Sequence, residues 1–150
     1  MVPAGKSFVV AAIVLALGIV GIAGVAGAEV TRRGGAAADD VAASLVGTWT
    51  GTKSGAEGGK FESREWRVVF KEVEANAAIG TKQYRKPNGR WSKREVVNAV
   101  VDATGHIWAS DTDGVINGSL SEDGTLELIY QEAGTTDGAA VIALLRKAQT

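Results

Sequence analysis

The sequence predicts an all-β domain, an up-and-down eight-stranded antiparallel barrel, and three observations carry that reading. From Leu45 onward, short runs of β-branched and aromatic residues follow one another with no helical interruption. The breaks between them include Asn88-Gly89, Asp113-Gly114 and Asp123-Gly124, dipeptides that supply the positive φ a tight hairpin needs. Glycine is abundant at 20 residues and proline scarce at 2, as suits tight turns between regular strands.

Taken in order, the expected strands are 45–52, 61–73, 78–85, 91–101, 106–110, 115–120, 125–132 and 139–146. A glycine-rich loop, 54–59, separates the first two. In the second, Trp66, Val68 and Phe70 alternate with Arg67 and Lys71, the period-two pattern of a strand with one wet face. Units of this length, each followed by a turn, suggest a meander in which every strand pairs with its predecessor. Eight such strands can close and so leave no exposed edge. A two-sheet sandwich is the alternative.

Ahead of the strands the chain has a different character. Lys6, the apolar run from Phe8 to about Ala28 and the ending Ala26-Gly27-Ala28 form the three parts of a secretory signal peptide. The same run approaches the ~20 residues that span a bilayer, so an uncleaved anchor helix is the alternative. The expected division is therefore 1–28 signal peptide or anchor, 29–43 flexible spacer, and 44–150 barrel domain. Within the spacer, 39–43 offers one helical turn capped by Asp39. This places the domain outside the cytoplasm, secreted or periplasmic, or tethered to the cytoplasmic membrane by residues 8–28.

A formal charge of −1 argues against nucleic acid as the main partner. The absence of cysteine excludes disulfides, thiolate metal sites and thiol nucleophiles.

Gly47-Thr48-Trp49 opens the first strand and Arg146 lies near the end of the last. This arrangement resembles the calycins, the lipocalin and avidin-type barrels, over roughly 45–147. The resemblance implies that Trp49, with Gly47 before it, packs against a terminal basic residue, Arg146, to seal one end of the barrel. A guanidinium over an indole is held there by cation–π attraction and shared burial. The chain departs from the avidins' biotin site: Gly51 stands where an avidin has Asn, and 141–145 offers no Asp. The chain is also similar to periplasmic inhibitors of secreted metalloproteases, small barrels whose N-terminal arm enters the protease. That likeness implies an inhibitory role for 29–44.

No catalytic constellation is recognisable, so the expectation is a protein that is not an enzyme. His106 stands alone, and no metal or cofactor site is expected. Asp111-Thr112-Asp113-Gly114 resembles the start of a calcium loop, but Val115 and Ile116 occupy positions that need an oxygen ligand and glycine, so it reads as a turn. Glu62, Glu65, Glu127 and Glu132 are candidate acid–base carboxylates with nothing to show convergence. The aromatic residues Trp66, Phe70, Tyr84, Trp108 and Tyr130 are the expected ligand-binding set, with Trp66, Val68, Phe70, Leu126, Leu128 and Tyr130 on one face, the barrel interior. Arg64, Arg67, Lys82, Arg85, Lys86, Arg90, Lys93 and Arg94 make the middle strands locally basic, a solvated outer face or one that meets an anionic envelope polymer. The leading functional expectation is a binding protein holding a small apolar ligand. The alternative is a protein-interaction module of the cell envelope.

Overall fold

The computed structural model describes residues 31–134 and 136–149. The segment 1–28, expected as signal peptide or anchor, lies outside the described residues. One helix, α1 (Thr31–Leu45), precedes eight strands: β1 (Gly47–Glu57), β2 (Lys60–Glu74), β3 (Ala77–Tyr84), β4 (Glu95–Val101), β5 (His106–Ser110), β6 (Gly114–Leu120), β7 (Thr125–Glu132) and β8 (Ala139–Lys147). Every strand pairs antiparallel with its predecessor, and β1 pairs with β8, so the sheet closes into a barrel and not a sandwich. Among the described residues no helix is long and apolar enough to cross a membrane.

Alternation sends one side of each strand inward, with a break in β2 where the register shifts between Phe70 and Glu72. Val68, Phe70, Val101, Ile107, Ile116, Leu126, Leu128 and Leu145 are buried and fill one half of the interior. On β1, Gly51 and Gly55 face the wall of β8 closely. A Cβ would come to 2.0 Å from Leu144 O at the first and 2.3 Å from Ala140 O at the second. This close approach carries β1 to Glu57, through most of the loop expected at 54–59. Conversely, 91–94 is not strand, and β4 begins at Glu95.

The spacer expectation is corrected by α1. Ala38, Val41, Ala42 and Leu45 fall at i, i+3, i+4 and i+7, one apolar stripe of a helix. Ala38, Ala42 and Leu45 are buried, and the helix packs on β2, β3 and β4 across the apolar end of the barrel. The end of the helix is then satisfied by the barrel. The last carbonyls of a helix lack intrahelical partners. Here Val46 N donates to Ala43 O at 3.3 Å, Lys147 Nζ to Ser44 O at 3.0 Å, and Trp49 Nε1 to Leu45 O at 2.7 Å.

Trp49 is 2% exposed, and the cation nearest its ring is Lys147, 5.5 Å from the centroid. This corrects the expected pairing with Arg146. Leu145 points inward, so Arg146 points outward, where it pairs with Asp123 at 2.8 Å. Lys147 lies opposite Trp49 in the β1–β8 register. Gly47 makes room for it: its φ is +129°, and a Cβ there would come to 2.8 Å from Lys147 Cε.

Replacing Trp49 with alanine is expected to cost about 3–5 kcal/mol, the range for a fully buried ring, and Trp91→Ala clearly less because that ring is only half-buried. Denaturant melts of the two variants check the difference, and equal losses would remove Trp49 from the latch.

Candidate functional site

The other half of the interior is polar. It holds a cavity of about 210 Å³ lined by Lys53 and Glu57 of β1, Trp66 of β2, Lys82 and Tyr84 of β3, Glu95 of β4, Tyr130 and Glu132 of β7, and the loop residues Asp113 and Asp137. Five strands and the loops after β5 and β7 therefore converge at the mouth opposite α1. Each of these strands continues inward alternation past the apolar layer. On β3 the inward series runs Ala78, Gly80, Lys82, Tyr84, and on β7 it runs Leu126, Leu128, Tyr130, Glu132.

Lys82 is the centre. Its side chain is 8% exposed, and its ammonium lies 2.5 Å from Asp111 Oδ2 and 2.8 Å from Glu95 Oε2. It also sits 4.0 Å from the centroid of the Tyr130 ring. The Asp111 side chain is fully buried (0% exposed), and its Oδ1 accepts from the backbone N–H groups of Asp113 and Gly114 at 2.9 and 2.8 Å. The sequence Asp111-Thr112-Asp113-Gly114 is thus a turn whose first carboxylate reaches into the barrel. Beside it, Lys53 pairs with Glu57 at 2.6 Å and faces Tyr84 at 5.0 Å. Tyr130 donates its hydroxyl to Glu132 at 2.8 Å and packs against Trp66 with ring centroids 6.3 Å apart. Arg64 pairs with Glu62 and lies 5.5 Å from Tyr84.

The electrostatics hold these groups in single charge states at neutral pH. Burial lowers the affinity of Lys82 for its proton, but the carboxylates of Asp111 and Glu95 outweigh it, and the ammonium stays protonated above its ordinary range. Burial likewise opposes ionisation of Asp111, yet Lys82 and the two backbone donors hold the carboxyl below its ordinary value. Burial and the neighbouring carboxylates, Glu132 first, push the Tyr130 phenol well above the usual range. All three move away from neutrality, so they act as fixed donors and acceptors and not as proton shuttles.

Of the expected ligand-binding residues, the structure brings Trp66, Tyr84 and Tyr130 together at this cavity. Phe70 lies in the packed apolar half. Trp108 stands on the outer wall, 52% exposed, with Nε1 donating to Asp102 Oδ2 at 3.0 Å and His106 edge-on at 4.7 Å. The basic middle strands are divided by parity, with Arg64 and Lys82 inside and Arg67 and Arg85 outside. Of the four carboxylates considered, only Glu132 lines the cavity. Among the described residues no cluster of His, Asp and Glu is arranged to hold a metal ion.

Sequence reasoning missed Lys53, Lys82, Glu95 and Asp111. The available signal was parity: Lys53 stands four residues from Trp49, and Lys82 four from Ala78, on the inward side in both cases. No known protein family matches the chain, and no curated protein matches it in sequence.

Removing the Lys82 ammonium strands Asp111 in the interior. Lys82→Ala is expected to lose about 3 kcal/mol, the lower end of the range for breaking a buried pair, because the pair borders the cavity and is not enclosed by packed side chains on that side. The pH dependence follows from the shifts. The contribution of Asp111, with its lowered value, is complete above its ordinary 3.8 and is lost as pH falls through the folded value. That of Lys82, with its raised value, is complete below 10.5 and is lost as pH rises through the folded value. Thermal melts of the parent and Asp111→Asn should therefore differ most between these limits and converge in acid. A constant difference down to pH 2 would contradict the coupling.

Proposed function

We propose that this chain is a calycin-like binding protein of the cell envelope or extracellular space, and that the ionic cavity at the barrel mouth takes a small polar ligand. The observation that carries the reading is the pre-organised cavity itself: charged groups are held in fixed positions by Lys82–Asp111–Glu95 and Lys53–Glu57, with Trp66, Tyr84 and Tyr130 as walls. Ligand sites combine a shaped apolar wall with a few convergent polar groups. Placement outside the cytoplasm rests on the N-terminal pattern of Lys6, an apolar run and Ala26-Gly27-Ala28.

The lining shifts the ligand chemistry from the apolar molecule expected from the aromatic residues to a polar one. Five carboxylates of the lining, Glu57, Glu95, Asp113, Glu132 and Asp137, face two ammonium groups, Lys53 and Lys82, with Asp111 paired to Lys82 behind them. The balance favours a ligand bearing hydrogen-bond donors or one positive charge. At about 210 Å³ the cavity is below the ~300–1,000 Å³ of sites for drug-sized molecules, so the ligand is small.

Native mass spectrometry of the protein purified from its own host should retain a small adduct. NMR titration with a library of small amines should shift resonances of Trp66, Tyr84 and Tyr130 together, and Glu132→Gln should weaken the hits at least several-fold. Hits that move only outer-wall resonances such as Trp108 would sink the assignment.

A further inference from the structure

The ten residues 85–94, which join β3 to β4, carry five basic side chains, Arg85, Lys86, Arg90, Lys93 and Arg94, and no acidic one. The chain has 16 basic and 17 acidic residues, so eleven basic and seventeen acidic remain elsewhere: a segment of +5 beside a remainder of −6. Such segregation costs mutual repulsion, and it is built into an ordered loop. Lys86 N donates to Arg90 O at 2.8 Å, Gly89 N to Lys86 O at 2.9 Å and Ser92 N to Tyr84 O at 2.8 Å. Asn88 Oδ1 accepts from Arg90 N at 3.1 Å. The buried Ser92 hydroxyl accepts from Tyr84 N at 3.0 Å and donates to Lys93 O at 3.0 Å.

Trp91 holds one of these cations, Arg85, and one further cation, Arg67 of β2. The guanidinium groups of Arg67 and Arg85 lie 4.3 and 4.2 Å from the centroid of its ring. Arg67 donates to Gln83 at 2.6 Å, and Gln83 donates in turn to Ser92 O at 2.7 Å. Arg85 is the loop cation with a carboxylate, Glu65, at 3.1 Å. Lys86, Arg90, Lys93 and Arg94 are exposed and have no ion-pair partner among the described residues.

We infer that this loop is a docking surface for a linear polyanion whose repeating charges are phosphates. Forked guanidinium donors and point-like ammonium groups, fixed at intervals along a rigid loop, match closely spaced phosphate oxygens. A flexible chain fits this surface better than a planar anionic membrane does. Across the mouth lie Asp113 and Asp137, both exposed, and a plane pressed on this end of the barrel would meet them as well. A polymer lies along the basic side and avoids them. The surface is separate from the cavity proposed for a small ligand and stands whether or not that cavity is filled.

The test is a titration of the full chain with inorganic polyphosphate at 50 and 200 mM NaCl. With four phosphate contacts the affinity should fall about fifty-fold between the two salts, since each contact releases counterions. The variant Lys86→Gln, Arg90→Gln, Lys93→Gln, Arg94→Gln should lose binding, with an unchanged near-ultraviolet spectrum showing that the fold is kept. Lys71→Gln, which removes an exposed charge from β2 elsewhere on the barrel, should bind like the parent. The proposal is overturned if the fourfold variant binds like the parent, or if Lys71→Gln loses as much. Equal affinity for polyglutamate of the same length, or binding to anionic lipid vesicles without binding to polyphosphate, overturns it too.

Discussion

The end of α1 is where the fold is tied together. Helix, first strand and last strand meet there, and each supplies what another lacks. The helix presents carbonyls with no intrahelical partner, Trp49 of β1 and Lys147 of β8 donate to two of them, and the Trp49 ring fills the space below. Because Trp49 and Lys147 are also register partners, this junction aligns the two strands whose pairing closes the barrel. A slip of one residue on β8 would bring Arg146 to the latch and turn Leu145 out to solvent.

With the register fixed, parity decides the rest, and it divides the interior into two unlike halves. Near α1 the inward positions are apolar and packed, and this half supplies stabilisation of the ordinary hydrophobic kind. Toward the mouth the same positions carry Lys53, Lys82, Glu95 and Glu132. Burying such groups is costly even when they are paired, and apolar residues of similar size could fill the space. The ionic half is therefore not explained by stability, which is the physical ground for treating it as a site. Its members are tied to one another from several strands, so they stay in place when no ligand is present.

The fold was legible because its signals are local. Alternation and the Asn-Gly and Asp-Gly turns locate the strands to within a few residues. The Gly-x-Trp start and a terminal cation point to closure. The errors came where a residue's role depends on its position around the ring. Gly55 reads as loop and in fact permits a strand to approach Ala140 closely. Arg146 and Lys147 are neighbours of like charge, and only the β1–β8 register says which one reaches Trp49. Lys82 sits in a basic stretch and looks like its solvated neighbours until its parity with Ala78 and Tyr84 is followed. The stripe Ala38, Val41, Ala42, Leu45 was visible as a pattern, but alanine is a weak apolar signal, and it takes the barrel end to show what the stripe covers.

Closing one end also sets the direction of access. With α1 seated over the apolar half, the interior opens at the other end of the barrel, between the β3–β4 loop and the loops after β5 and β7. The two sides of that entrance carry opposite charge: the β3–β4 side is basic, and the other side presents Asp113 and Asp137. The field across such an opening orients a dipolar molecule as it approaches, positive end toward the carboxylates. The same arrangement separates the roles of the basic residues. Lys82 and Lys53 are consumed by internal pairs, while Lys86, Arg90, Lys93 and Arg94 are exposed and have no ion-pair partner among the described residues. A bound polyanion would neutralise the basic side and leave the acidic side unopposed, which would draw a cationic ligand into the cavity more strongly. On the two proposals together, polyanion and cationic ligand would favour each other's binding through the field at the mouth, without any change in the barrel between them.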